Sequence, residues 1–190
     1  MMNRCLSALF ALLLFAAGAQ VVAAQQTVTL HVPLITEKLY DDEKALFNFE
    51  KGVAGKTRIK GVGIVYDLGY GFMAINDEDW FTLSPHRADR SVIKDLGALN
   101  WFDSFKVPAL TPLPELEKGK EHTFTVNTSG DTGKKWAETT RIHAKVVVGH
   151  MYVVRIKRPD TDFYALFRVE EHEQRASCRI TWSVIPTPEQ

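Results

Sequence analysis

Alternation of apolar and polar side chains, one residue at a time, constrains this chain more than any other feature. In Ser177–Val184, Cys178, Ile180, Trp182 and Val184 fall on one face and Ser177, Arg179, Thr181 and Ser183 on the other. Successive side chains of an extended strand point to opposite faces, so the pattern predicts a half-buried strand that carries Cys178 inward. Residues 27–34 repeat the pattern: Val28, Leu30, Val32 and Leu34 alternate with Thr27, Thr29, His31 and Pro33. Pro33 cannot donate to a ladder, which places this strand at a sheet edge.

Turn formers divide the remainder into similar pieces. Strand character is expected at 45–49, 57–68, 72–75, 122–126, 139–148, 151–157, 163–169 and 177–185. The last four are evenly spaced and read as an antiparallel meander. Gly149-His150 would be a two-residue turn between the first two, with glycine first as a type II′ turn requires. Residues 84–97 form the best helix candidate: Asp89 or Ser91 caps it, Val92, Ile93 and Leu96 face inward, and Gly97 ends it. The polar stretch 37–45 has room for a short helical turn, and Asn76-Asp77-Glu78-Asp79 reads as a solvated acidic turn. No long helices supply parallel crossovers. The expected fold is therefore all-β, a mainly antiparallel sandwich or barrel with one short helix.

The first 24 residues follow a different logic. Met1-Met2-Asn3-Arg4 precedes an apolar run from Leu6 to Ala17, and small residues lead to Ala23-Ala24. A basic start, a short apolar centre and a small-residue exit predict a secretory signal peptide over 1–24. Cleavage after Ala24 is preferred over Ala19. The run is shorter than the roughly 20 apolar residues that cross a bilayer, so no transmembrane segment is expected in the mature chain. Removing 24 of 190 residues leaves 166, which suits a single β-rich domain over 25–190. Such a protein would work in the bacterial periplasm or outside the cell.

Charge and cysteine usage narrow the function. Arg4 is the only charged residue in the leader, so the mature chain keeps 22 basic and 23 acidic residues, a net charge of −1 with histidine neutral. Nothing in that balance favours nucleic acid. Cys5 leaves with the leader, and Cys178 alone cannot form an internal disulfide. Its place on the apolar face marks it as a small core residue.

Motifs that carry chemistry are scarce. There is no Gly-x-Ser-x-Gly, no His-Glu-x-x-His and no Cys-x-x-Cys. Gly130-Asp131-Thr132-Gly133-Lys134-Lys135 lacks the spacing of a phosphate loop. His31, His86, His122, His143, His150 and His172 are scattered, and only His143 and His150 could meet, across the proposed Gly149 turn. That pair is the candidate for a haem or metal carrier. Oxygen-rich turns at Asp77-Glu78-Asp79 and Asp160-Thr161-Asp162 lack the ligand spacing of a calcium loop. Glu121, Glu171 and Glu173 are carboxylates that no spacing pairs as acid and base. The aromatics Trp80, Phe81, Trp101, Phe102 and Trp136 sit in turn-like or irregular segments. Rings there either plug the ends of the scaffold or stack on a sugar or a partner protein. Trp80, Trp101 and Trp136 are accordingly the candidate ligand-binding residues.

Residues 46–52, Leu-Phe-Asn-Phe-Glu-Lys-Gly, and 149–155, Gly-His-Met-Tyr-Val-Val-Arg, carry a family likeness, together with Asp67 and the strand Phe163–Val169. The order of these features resembles exported bacterial all-β domains of unknown function and HmuY-type haem-binding proteins. The resemblance implies an all-β domain over most of the mature chain. It implies no haem ligands, since no histidine here falls in a matching motif. The expected function is an exported, non-enzymatic β-domain without a cofactor that binds a ligand or protein. A haem or metal carrier, and a carbohydrate-binding or hydrolytic domain, are the alternatives.

Overall fold

A computed structural model describes residues 25–35, 40–41, 43–55, 57–59, 63–73, 77–84, 89–115 and 141–189. In chain order the strands are β1 (Gln26–His31), β2 (Leu34–Ile35), β3 (Tyr40–Asp41), β4 (Leu46–Asn48), β5 (Val53–Ala54), β6 (Thr57–Ile59), β7 (Gly63–Val65), β8 (Leu68–Met73), β9 (Glu78–Thr82), β10 (Val92–Ala98), β11 (His143–Lys145), β12 (His150–Arg158), β13 (Thr161–Glu173) and β14 (Ser177–Ile185), with a 3-10 turn at Glu43–Ala45. A first sheet runs β1-β14-β13-β12-β10 and a second runs β11-β9-β8-β4-β5. The pairs β2-β3 and β6-β7 form small ribbons. All pairings are antiparallel. The all-β expectation holds, in the form of a sandwich.

Rings from both sheets meet in one core. Phe81 lies edge-on to Phe167 at 5.0 Å between centroids, Phe47 to Trp182 at 5.2 Å, and Tyr152 stacks on Phe167 at 4.9 Å. Such offset and edge contacts add to the burial of large apolar areas. The sheets touch at one margin, where Ile93 N donates to Arg141 O at 2.8 Å. Cys178 is fully buried, as the alternation in β14 predicts, and β1 is an edge strand paired with β14.

The outer face of the first sheet is also covered. Met151, Val153, Tyr164 and Leu166 are buried there beneath Leu99, Trp101, Phe105, Val107 and Leu110. Arg155 and Tyr164 fasten this strap. Arg155 Nη1 donates to Leu110 O at 2.8 Å, and Leu110 N donates to the Tyr164 hydroxyl at 3.0 Å. Burial on both faces explains why Met151-Tyr152-Val153-Val154 is apolar without alternating.

Three expectations are corrected. The helix expected over 84–97 is not formed in its described part: Val92–Ala98 is β10, an edge strand paired with β12, and among the described residues the helical content is the Glu43–Ala45 turn. Val92 and Ile93 are β-branched, buried, and lie opposite Arg155 and Val154. Asp89 Oδ1 accepts from Ser91 N at 2.9 Å, an Asx turn that mimics a helix cap. Gly97, with φ +82°, marks a bulge between Asp95 and Gly97 rather than a helix end. The Gly149-His150 hairpin is the second correction. β11 pairs with β9 in the second sheet and β12 with β10 and β13 in the first, so the four-strand meander shrinks to β12-β13-β14. The connection is a corner, held by Tyr152, whose hydroxyl donates to Lys145 O and accepts from Val147 N. Third, Asp79 lies within β9 and is buried, not in a solvated turn.

A charged cluster joins the sheets. Arg158 at the end of β12 bonds Asp67, Asp89 and the Tyr66 carbonyl, and Phe49 N donates to Asp67 Oδ2 at 2.7 Å. Burial pushes the Asp67 carboxyl above its ordinary range while the Arg158 guanidinium opposes the shift. Charges this enclosed persist only when paired.

Candidate functional site

Two turns share the end of the sandwich where β12 begins, because Ala98 lies opposite His150. The first spans 147–150. His150 N donates to Val147 O at 3.2 Å, and Gly149, in third position with φ +81°, supplies the left-handed residue that a type II turn needs. It leaves Val148 54 % exposed. The second spans 100–103. Asp103 N donates to Asn100 O at 3.1 Å, and Asn100 N donates to Asp103 Oδ2 at 2.6 Å. Trp101 packs inward on the strap cluster, and Phe102 stands 94 % exposed. Arg168 Nε fixes the base of this turn by donating to Leu99 O at 2.9 Å.

Several polar groups around these turns already have partners. Asp95 bonds His150 Nδ1 at 3.0 Å and also accepts from Gly97 N. Arg168 pairs with Glu170. The surface is therefore an exposed ring and a valine on a hydrogen-bonded frame, bordered by paired charges.

The candidate histidines are kept apart by the sheets. In β11, Ala144 enters the core and sends His143 to the outer face of the second sheet, where Nδ1 lies 3.0 Å from Thr82 Oγ1. Burial lowers the His143 pKa. His150 sits in the first sheet against Asp95, its ring 6.5 Å from Tyr152. The register that would join them is not formed. Among the described residues, no three His, Cys, Asp or Glu side chains converge as a metal-ligand set.

The candidate aromatics also separate. Phe81 is core, and Trp101 belongs to the strap, packed on the Met151, Val153, Tyr164 and Leu166 cluster. Trp80 is half-buried on the outer face of the second sheet, since Asp79 and Phe81 take the inner one. Trp136 falls outside the described residues, as do Glu121, the 122–126 strand and the 127–134 loop. The structure thus brings Trp80 and His143 onto one face, with Lys145 opposite Trp80 and His143 opposite Thr82, and leaves Trp101 elsewhere.

One polar cluster escaped the sequence reading. Asp79 Oδ2 meets the Tyr70 hydroxyl at 2.8 Å, His172 Nε2 at 2.7 Å and Arg175 N at 2.8 Å, tying the β13-β14 turn to the second sheet. His172 lies opposite Cys178 in the register. The residue types resemble a thiol-imidazole-carboxylate array, but burial pushes the Cys178 thiol up to about 12. A protonated, fully buried thiol is no nucleophile at neutral pH. The signal was present in the sequence: extending the alternation of Trp80–Thr82 by one residue puts Asp79 in phase with Phe81, and an acid at an inward position demands partners. No family model, curated protein or solved structure matches this chain.

Proposed function

We propose that this chain is an exported, non-enzymatic β-sandwich that binds a protein partner through the end carrying Phe102 and Val148. The observation behind this reading is Phe102, 94 % exposed on a turn closed by two hydrogen bonds. A free-standing ring on a fixed turn loses little further freedom on docking, and burying it in a partner's pocket contributes on the order of 1.5–3 kcal/mol. Paired charges around it suit the rim of an interface. The partner should offer an apolar pocket. A carrier built on His143 and His150 is a weaker reading, because each imidazole has a separate polar neighbour on a different sheet.

The test is photocrosslinking in cells. A benzophenone amino acid at position 102 should give a discrete protein adduct. The same probe at Val53, which is 50 % exposed on β5, should not. Phe102→Ala should abolish copurification of the crosslinked partner and change stability by less than about 0.5 kcal/mol. Equal labelling at 102 and 53 would reject the proposal.

A further inference from the structure

We infer that the outer face of the second sheet holds a second binding site, a notch over Gly71 walled by Trp80, which takes the face of a neutral sugar ring. Tyr70 pairs with Phe81 toward the core, so the next pair, Gly71 and Trp80, faces outward. Among the described residues, a Cβ built on Gly71 meets nothing within 4 Å, so the space over this glycine, opposite half-buried Trp80, is open. At Gly69, by contrast, a Cβ would meet the Tyr66 ring at 3.2 Å. The floor is filled on one side and vacant beside Trp80.

The rim decides the ligand class. Thr82 and His143 form a hydroxyl–imidazole pair 3.0 Å apart, and burial favours the uncharged imidazole. Lys145, opposite Trp80, is neutralised by Glu78. An aromatic side chain beside neutral hydroxyl and imidazole groups, with Lys145 already paired, fits a polyhydroxylated ring rather than a phosphate or carboxylate. The Trp80 indole nitrogen is buried and has no acceptor among the described residues, so contact would be through the ring, and its N–H serves as a reporter.

The experiment applies the processed chain to an array of glucose, mannose, galactose and N-acetylglucosamine oligosaccharides, then titrates the best binder while following the Trp80 indole N–H by NMR. Saturable binding that shifts this signal is expected. Gly71→Thr should weaken binding at least tenfold without lowering Tm, since the site is open and threonine suits a strand. Gly71→Ala, the milder variant, should weaken it less. Phe102→Ala should leave sugar binding unchanged, which separates this site from the protein-docking end. A blank array, or binding that survives Gly71→Thr, overturns the inference.

Discussion

The two sheets share one core but differ in what lies behind them. The middle of the first sheet, at β12 and β13, is covered on both faces, by the core within and by residues 99–110 without. The second is described with its inner face packed and an outer face of half-buried and exposed side chains at Trp80, Thr82, His143 and Lys145. The difference is written in the strands. β12 shows four consecutive buried residues, whereas β9 alternates strictly.

The largest effect should come from breaking the link between the sheets. Arg158→Met removes the cation shared by Asp67 and Asp89, whose side chains are fully or almost fully enclosed. Leaving two buried carboxylates without it should cost about 3–5 kcal/mol. Urea unfolding would report this as a lower midpoint with an unchanged slope. A loss below about 1 kcal/mol would mean that the cluster is solvated and that the sheets hold together by apolar packing alone.

The contrast between the outer faces sharpens next. Met151→Ala, under the strap, should cost about 2–5 kcal/mol because it opens a cavity in a closed layer. Thr82→Val, on the open face, loses one hydroxyl contact to His143 and should change stability by less than about 1 kcal/mol. Similar costs at the two positions would show that the second sheet is covered as thoroughly as the first.

Glycines divide along the same line. Gly149 has φ +81°, so Gly149→Val should cost roughly 1–3 kcal/mol through backbone strain. The Gly71→Thr variant should melt no lower than the parent. An unchanged Tm for Gly149→Val would count against the corner between β11 and β12.

The local rules were legible and the long-range ones were not. Alternation located β14, the edge strand β1 and the inward Cys178, because period two depends only on neighbouring residues. The positive φ at Gly149 was also readable, but whether the strands beside it pair with each other depends on Tyr152 anchoring residues 145 and 147 to make a corner. Asp89 and Gly97 misled for the same reason. An Asx turn and a bulge use the residue types that begin and end helices, and the pairing of Val92 with Arg155 decides between them. The sorting of Phe81, Trp101, Trp80 and Phe102 into core, strap, outer face and exposed turn was not legible, because it required both sheets in place.

The smallest predicted effect tests the ion pair beside the strap on the first sheet. Asp162 accepts two hydrogen bonds from the Arg155 guanidinium and pairs with Lys157 at 3.1 Å. The Arg155 hydrogen bonds are the main cause that lowers its carboxyl from 3.8 to about 2. A depressed carboxylate favours the folded state above its unfolded pKa, and that contribution fades as pH falls through the folded value. The window is therefore about pH 4 down to 2. The Asp162 side chain is 35 % exposed, so solvent screening limits the gain to less than about 1 kcal/mol. Asp162→Asn should lower stability slightly at pH 6, flatten the acid limb between pH 4 and 2, and converge with the parent only below about pH 2. Because Arg155 also holds Leu110 O, a larger loss at pH 6 would show that the ion pair positions the strap as well as decorating the surface. A flat difference across the whole pH range would remove Asp162 from the acid response.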